Sequence, residues 1–256
     1  MSARRKRSRP SGAGPSRHSA AQARQAAADR QRLEAHRRQR RLIWTIALAV
    51  VLVVVGIGVG FQIRETYRAP TAPVAVASPS AAVDPVAGEP IVWGSAGAPV
   101  TVDLWSDFHC PHCVDFEATY GPLLRQEVGD GRIRLRTFPL AFIDSGSRSA
   151  SNAYACAAQA GFAEPYFTAL FADPDLRWSD HQLRALFVGV SGSESAAFDT
   201  CVAESTHEDW VTSLSAAGER AGVTATPTLV VDGRTIDIDA LTPESLTTTI
   251  EEAAQS

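Results

Sequence analysis

An uncharged run from Leu42 to Ile63 divides this chain into two parts that meet different solvents. Its apolar stretch, Leu42 to Phe61, measures about 30 Å as a helix, the thickness of a bilayer's hydrocarbon layer. Before it, residues 1–41 hold 13 Lys and Arg against Asp29 and Glu34, a balance of +11. After it, 11 basic residues face 26 acidic ones, a balance of −15. Arg37, Arg38, Arg40 and Arg41 stand directly before the run, whereas only Arg64 and Arg68 follow, beside Glu65. The basic excess predicts a cytoplasmic N-terminus and places everything after Ile63 outside the cell membrane. A cleaved signal peptide is the alternative. A 41-residue basic lead is long for one, and Ala75-Val76-Ala77 lies well past the apolar run.

The chain therefore reads as four segments. Residues 1–41 are Arg-, Ala- and Gln-rich and are expected to be a tail that is disordered or at most transiently helical, with attraction to anionic lipid as its functional reading. Nucleic acid is not an expected partner, because no aromatic residue precedes Trp44 to stack on bases. Residues 42–63 form a transmembrane signal anchor. Residues 64–88, rich in Pro and Ala, are expected to be a semi-extended spacer. Residues 89–256 form the folded domain, with a helical insertion at about 146–222.

Within that domain, Ile91 to Trp93 is a possible first strand and Val100 to Ser106 a central one. Arg132 to Phe138 alternates strictly, so one face is buried. Ser147 to Ala221 is helical in pattern, with breaks expected at Pro165, Pro174 and Gly192. Thr228 to Val231, Asp232-Gly233 and Arg234 to Ile238 read as a hairpin. Thr242 and Pro243 then cap and open a last helix. This order is an α/β layout.

All four cysteines, Cys110, Cys113, Cys156 and Cys201, follow the anchor. An exported compartment permits disulfides, so two intrachain bridges are the natural assignment. Cys156 and Cys201 would close a loop across the helical block. Two buried free thiols are the alternative. In His109-Cys110-Pro111-His112-Cys113, two cysteines stand one helical turn apart between a strand and a helix from Val114 to Val128, broken at Gly121-Pro122. Cys110 would then meet free backbone N–H groups and the helix dipole, which favour a thiolate. A thiolate is the species that attacks and leaves disulfides. A Cys-x-x-Cys is also half of many zinc sites. Here the other cysteines are isolated, and His112 between the pair is badly placed to join one tetrahedron. The remaining histidines, His18, His36, His181 and His207, have no partner at ligand spacing.

Trp105-Ser106-Asp107-Phe108-His109-Cys110-Pro111-His112-Cys113-Val114-Asp115-Phe116-Glu117 resembles the active-site region of DsbA-like thioredoxin-fold oxidoreductases. Arg136-Thr137-Phe138-Pro139-Leu140 resembles their third strand, and Val223-Thr224-Ala225-Thr226-Pro227-Thr228 the segment carrying their cis-proline. The membrane anchor and second cysteine pair look like those of the actinobacterial members. The resemblance implies a thioredoxin fold with a helical insertion, preceded by one transmembrane helix. It implies that Cys110 attacks, Cys113 resolves, His112 helps hold the Cys110 thiolate, and the Thr226-Pro227 peptide pairs with substrate; an exposed, inert His112 is the alternative. It further implies donation of a disulfide to exported reduced proteins, reoxidation by a membrane partner of DsbB or VKOR type, and no dissociable cofactor. An isomerase or reductase held reduced by a membrane donor, and a non-catalytic membrane-tethered binding module, are the competing readings. One departure stands out. Leu104 occupies the place of the buried carboxylate found in many relatives, and Asp103 faces the other way. Asp107 and Glu117 remain as proton acceptors for Cys113, each more simply read as a surface carboxylate.

Overall fold

The computed structural model describes residues 17–71 and 76–255; the first 16 residues of the basic tail lie outside it. The first helix, α1, spans Arg17–Thr66, longer than the apolar run alone. Residues 17–41, expected to be disordered or at most transiently helical, are helical because Ala, Arg and Gln are good helix formers and a long apolar helix lies next to them. Its portion His36–Thr66 is long and apolar enough to cross a membrane.

From Gln62 onward the chain forms one compact unit. A five-stranded sheet carries β1 (Ile91–Trp93), β2 (Val100–Ser106), β3 (Ile133–Pro139), β4 (Thr228–Val231) and β5 (Arg234–Ile236) in the order β1-β3-β2-β4-β5. Only β2 and β3 are parallel, and α2 (Pro111–Gly129) crosses between them. Alternation in β3 sets the register: Ile133 and Leu135 are buried opposite Val100 and Val102. Arg136 lies opposite Asp103 and forms an ion pair with it.

Five helices separate β3 from β4: α3 (Ser145–Gln159), α4 (Ala163–Phe171), α5 (Asp180–Ser191), α6 (Ala196–Ala203) and α7 (Glu208–Arg220). The chain closes with α8 (Pro243–Ala253), capped by Thr242 and Ser245 in a reciprocal capping box. The fold is thus α/β, of thioredoxin type, with a helical insertion. Two expected breaks fall differently: the first lies at residues 160–162, just before Pro165, and the one at Gly121-Pro122 is absent. Pro165 sits in the first turn of α4, where the missing N–H has no partner to lose. Helix α2 runs through Pro122, which is solvent-exposed.

The insertion packs on the sheet through aromatic rings. Phe108, fully buried, meets Phe171, Phe167 and Tyr154 at centroid distances of 5.0, 5.3 and 6.0 Å. Such tilted and edge contacts suit the ring quadrupole. The buried Tyr154 hydroxyl lies 2.6 Å from Thr137 Oγ1 and accepts from Trp93 Nε1 at 3.1 Å, so its polar end is satisfied. Phe108 thereby anchors the β2–α2 turn to the insertion.

The Pro- and Ala-rich segment has partners of its own. Ala77 N–H donates to Val190 O at 2.8 Å, Ser80 N–H to Gly161 O at 2.7 Å, and Val83 N–H to Ala158 O at 2.9 Å. Residues 76–88, part of the segment expected as a semi-extended spacer, form no helix or strand and are held against the helices of the insertion. Gly161 and Gly192 make room for them. With φ of +84° and +75°, both adopt a conformation that L side chains rarely reach, and a Cβ at either would press on Ser80 or Val76.

Candidate active site

Cys110 is the N-cap of α2, with φ −78° and ψ 117°, and Pro111 opens the first turn. Proline suits that position because its missing N–H would have no intrahelical acceptor. The Cys110 carbonyl accepts from Cys113 N and Val114 N at 3.0 and 3.1 Å, which puts the two cysteines one turn apart. Both are free thiols, Cys110 6% and Cys113 1% exposed. Cys110 Sγ donates to the Thr226 carbonyl at 3.3 Å. The Thr226-Pro227 peptide is cis. The fold therefore joins four of the five residues singled out by sequence: Cys110, Cys113, Thr226 and Pro227. The fifth, His112, is exposed and makes no hydrogen bond to Cys110, because its side chain leaves the second helical position towards solvent.

Burial drives the Cys113 thiol far above its ordinary range. The Asp107 amide, which donates to Cys113 Sγ at 3.5 Å, opposes this, the nearby Cys110 sulfur adds to it, and the Thr226 side chain opposes it again. Desolvation outweighs the hydrogen bonds, so Cys113 is a proton-retaining thiol.

Neither carboxylate considered as its acceptor lies on the surface. Glu117 is buried and pairs with Arg125, while Thr168 also reaches it. Burial raises its pKa, and Arg125 opposes the rise. Asp107 is fully buried and serves as a hub for four donors. Its Oδ1 accepts from His109 N–H at 2.9 Å and Ser147 Oγ at 2.6 Å. Its Oδ2 accepts from the backbones of Phe142 and Ile143 at 3.2 and 3.3 Å. One side chain thus clamps the turn before Cys110, the loop after β3 and the start of α3.

A second clamp lies beside it. His109 Nδ1 is 2.7 Å from Oδ1 of Asp144, the N-cap of α3. Burial raises the Asp144 pKa, but the Ser147 amide and the His109 ring outweigh it and hold this carboxyl below its ordinary value. The His109 side chain is only 9% exposed and passes over Gly146. A Cβ there would overlap the ring and lie 2.8 Å from the Arg177 carbonyl oxygen. Gly146→Ala is therefore expected to cost about 1–3 kcal/mol through overpacking. Gly129→Ala, which has open space around it, should change stability little. Paired urea melts check both.

Sequence reasoning missed the Asp107 hub and the His109–Asp144 pair. The Asp144-x-x-Ser147 capping pattern was a readable signal for a helix start, but nothing local announced that its cap would also hold His109.

Beside Cys110 opens a groove of about 520 Å³. Helix α2 contributes His112, Asp115, Phe116 and Tyr120, and the proline loop and β5 side contribute Pro227 and Ile236. The arrangement can expose one sulfur to an extended peptide, bury its partner one turn away, and offer backbone groups next to both.

Comparison with known proteins agrees with this geometry. A family model described as thioredoxin matches residues 87–252. A search of curated proteins finds no match. Among solved structures, the reduced disulfide bond oxidoreductase DsbG of Mycobacterium tuberculosis superposes with a TM-score of 0.58 at 22% identity, covering 67% of this chain and 90% of that one. Oxidised BdbD of Bacillus subtilis gives 0.58 at 22% identity, covering 70% and 100%. MdbA of Actinomyces oris, a thiol-disulfide oxidoreductase, gives 0.59 at 18% identity, covering 73% and 98%. At these identities the likeness establishes the fold.

Proposed function

Since the chain belongs to the thioredoxin family, we propose that it is a DsbA-like protein thiol:disulfide oxidoreductase that donates a Cys110–Cys113 disulfide to exported proteins. The single observation that carries this reading is the contact of Cys110 Sγ with the Thr226 carbonyl, beside Pro227 and above a buried Cys113. In the forward reaction a client thiolate attacks Cys110 Sγ of the oxidised pair. The Cys110–Cys113 bond breaks, and Cys113 leaves and takes up a proton, which its dry surroundings favour. A second client thiolate then attacks the client sulfur of the mixed disulfide. The client disulfide forms, and Cys110 departs at the helix N-terminus, where backbone N–H groups and the dipole favour negative sulfur. The enzyme ends two electrons richer and the client two electrons poorer.

The rest of the reading follows from the sequence. Residues 42–63 anchor the protein in the cell membrane, with residues 1–41 in the cytoplasm and the catalytic domain outside. A membrane oxidant of DsbB or VKOR type, which the family resemblance implies, takes the two electrons. The groove beside Pro227 receives the client strand, with His112 at its mouth.

Trapping tests the function. With Cys113→Ala in the full-length, membrane-bound protein, clients are expected to accumulate as mixed disulfides on Cys110 that reductant releases. With Cys110→Ser they should not form. A Cys113→Ala protein that captures no client, while the oxidised parent also fails to oxidise a reduced dithiol peptide, would overturn the reading.

A further inference from the structure

His207, which has no partner at ligand spacing in the sequence, is brought by the fold against the second cysteine pair. Cys156 lies on α3, Cys201 on α6, and His207 is the N-cap of α7. The two cysteines are bonded to each other. Both sulfurs and one ring nitrogen of His207 lie within 4.8 Å of one another. Ligands about 2.0–2.3 Å from a tetrahedral zinc ion stand about 3.5–3.8 Å apart, so once the sulfur–sulfur bond is open the three atoms have nearly the required spacing.

The surroundings orient these groups as outer-shell partners do in metal sites. Gln159 Nε2 donates to Asp84 Oδ1 at 3.1 Å, which turns Gln159 Oε1 towards His207 Nε2, 2.8 Å away. An amide oxygen can only accept, so Nε2 carries the proton and Nδ1 keeps its lone pair. Asn152 fixes the other side: its Oδ1 accepts from His207 N–H at 2.8 Å, and its Nδ2 lies 3.8 Å from Cys156 Sγ. Two sulfurs and an imidazole suit zinc and its neighbours rather than calcium or magnesium.

The chain is made with thiols at Cys156 and Cys201. We propose that, before these two are joined, their thiolates and His207 hold a zinc-class divalent cation, with water as fourth ligand, and that disulfide formation expels it. Binding releases one proton from each thiol. In the expulsion step a small-molecule disulfide such as glutathione disulfide accepts two electrons and two protons and splits into two thiols. The Cys156–Cys201 bond forms, both metal–sulfur bonds break, and the cation leaves with its charge unchanged. The inference is independent of the role given to Cys110 and Cys113.

The test uses the full chain in detergent micelles, with Cys110→Ser and Cys113→Ser removing the other dithiol. The protein is reduced with a phosphine, freed of it anaerobically, and titrated with Co²⁺ and then Zn²⁺. The expected result is a thiolate-to-cobalt charge-transfer band that saturates at one ion per chain, yields to Zn²⁺, and vanishes on adding glutathione disulfide. Gln159→Leu, a change at an exposed position, should weaken binding about 10–100-fold, and His207→Ala at least as much. Zn²⁺ should also raise the Tm of the reduced parent, a readout that needs no ligand substitution. Absence of both the band and the Tm rise overturns the proposal. So does unchanged affinity in both variants, or retention of the ion by the disulfide-bonded chain.

Discussion

Asp107→Ala is expected to destabilise the domain by about 3–5 kcal/mol, because it removes at once the buried acceptor shared by four donors. The donors are the backbones of His109, Phe142 and Ile143 and the Ser147 hydroxyl. The Ser147 hydroxyl is the buried one among them, while Phe142 and Ile143 lie in an exposed loop. Activity should fall along with stability, since the Asp107 backbone also donates to Cys113. Asp107→Asn keeps one accepting oxygen but turns an NH2 towards the other two donors, so it should recover only part of the loss. Urea unfolding at fixed redox state, together with the rate of peptide oxidation per folded molecule, checks the prediction. An Ala variant within 1 kcal/mol of the parent would mean that water replaces the carboxylate.

Removing the second bridge is expected to have a comparable effect by a different route. Cys156 and Cys201 are 45 residues apart in sequence. Loop closure over that span restricts the unfolded chain by about 4 kcal/mol at room temperature in the chain-entropy account. The double change Cys156→Ser, Cys201→Ser should lower the denaturant midpoint accordingly. Neither cysteine lines the groove beside Pro227, so turnover per folded molecule should persist. Loss of turnover without loss of stability would instead point to an electron-relaying role for this pair. The measurement is a urea melt of each protein under non-reducing conditions, alongside the peptide assay.

Periodicity and caps made much of the fold readable. Arg-Ile-Arg-Leu-Arg gave β3 its buried and half-buried faces, and Thr242-Pro243 marked the start of α8. The Cys110 pair and Thr226-Pro227, over a hundred residues apart, were legible as motifs, and their contact is a product of the β2–β4 pairing. What escaped sequence reasoning depends on distant chain segments. Asp107 looks like any loop carboxylate until residues 142–147 fold over it. His109 looks like a spare polar residue until Gly146 leaves room for its ring. His207 stands six residues beyond Cys201, a spacing that suggests nothing until α3 brings Cys156 alongside. Pro122 misled for the opposite reason: a local helix-breaking preference yielded to the packing of α2, whose inner face buries Cys113, Phe116 and Leu124.

The strap formed by residues 76–88 has a consequence for where this protein begins as a folding body. The thioredoxin match starts at residue 87, yet Ala77, Ser80 and Val83 are hydrogen-bonded to the insertion, and Gly88 N–H donates to Ser213 Oγ at 2.6 Å. A polypeptide cut at the family boundary would bare the carbonyls of Gly161 and Val190 and the apolar surface under Ala77 and Val83. The inherited module and the self-sufficient one differ by a dozen residues, and those residues belong to the stretch that follows α1.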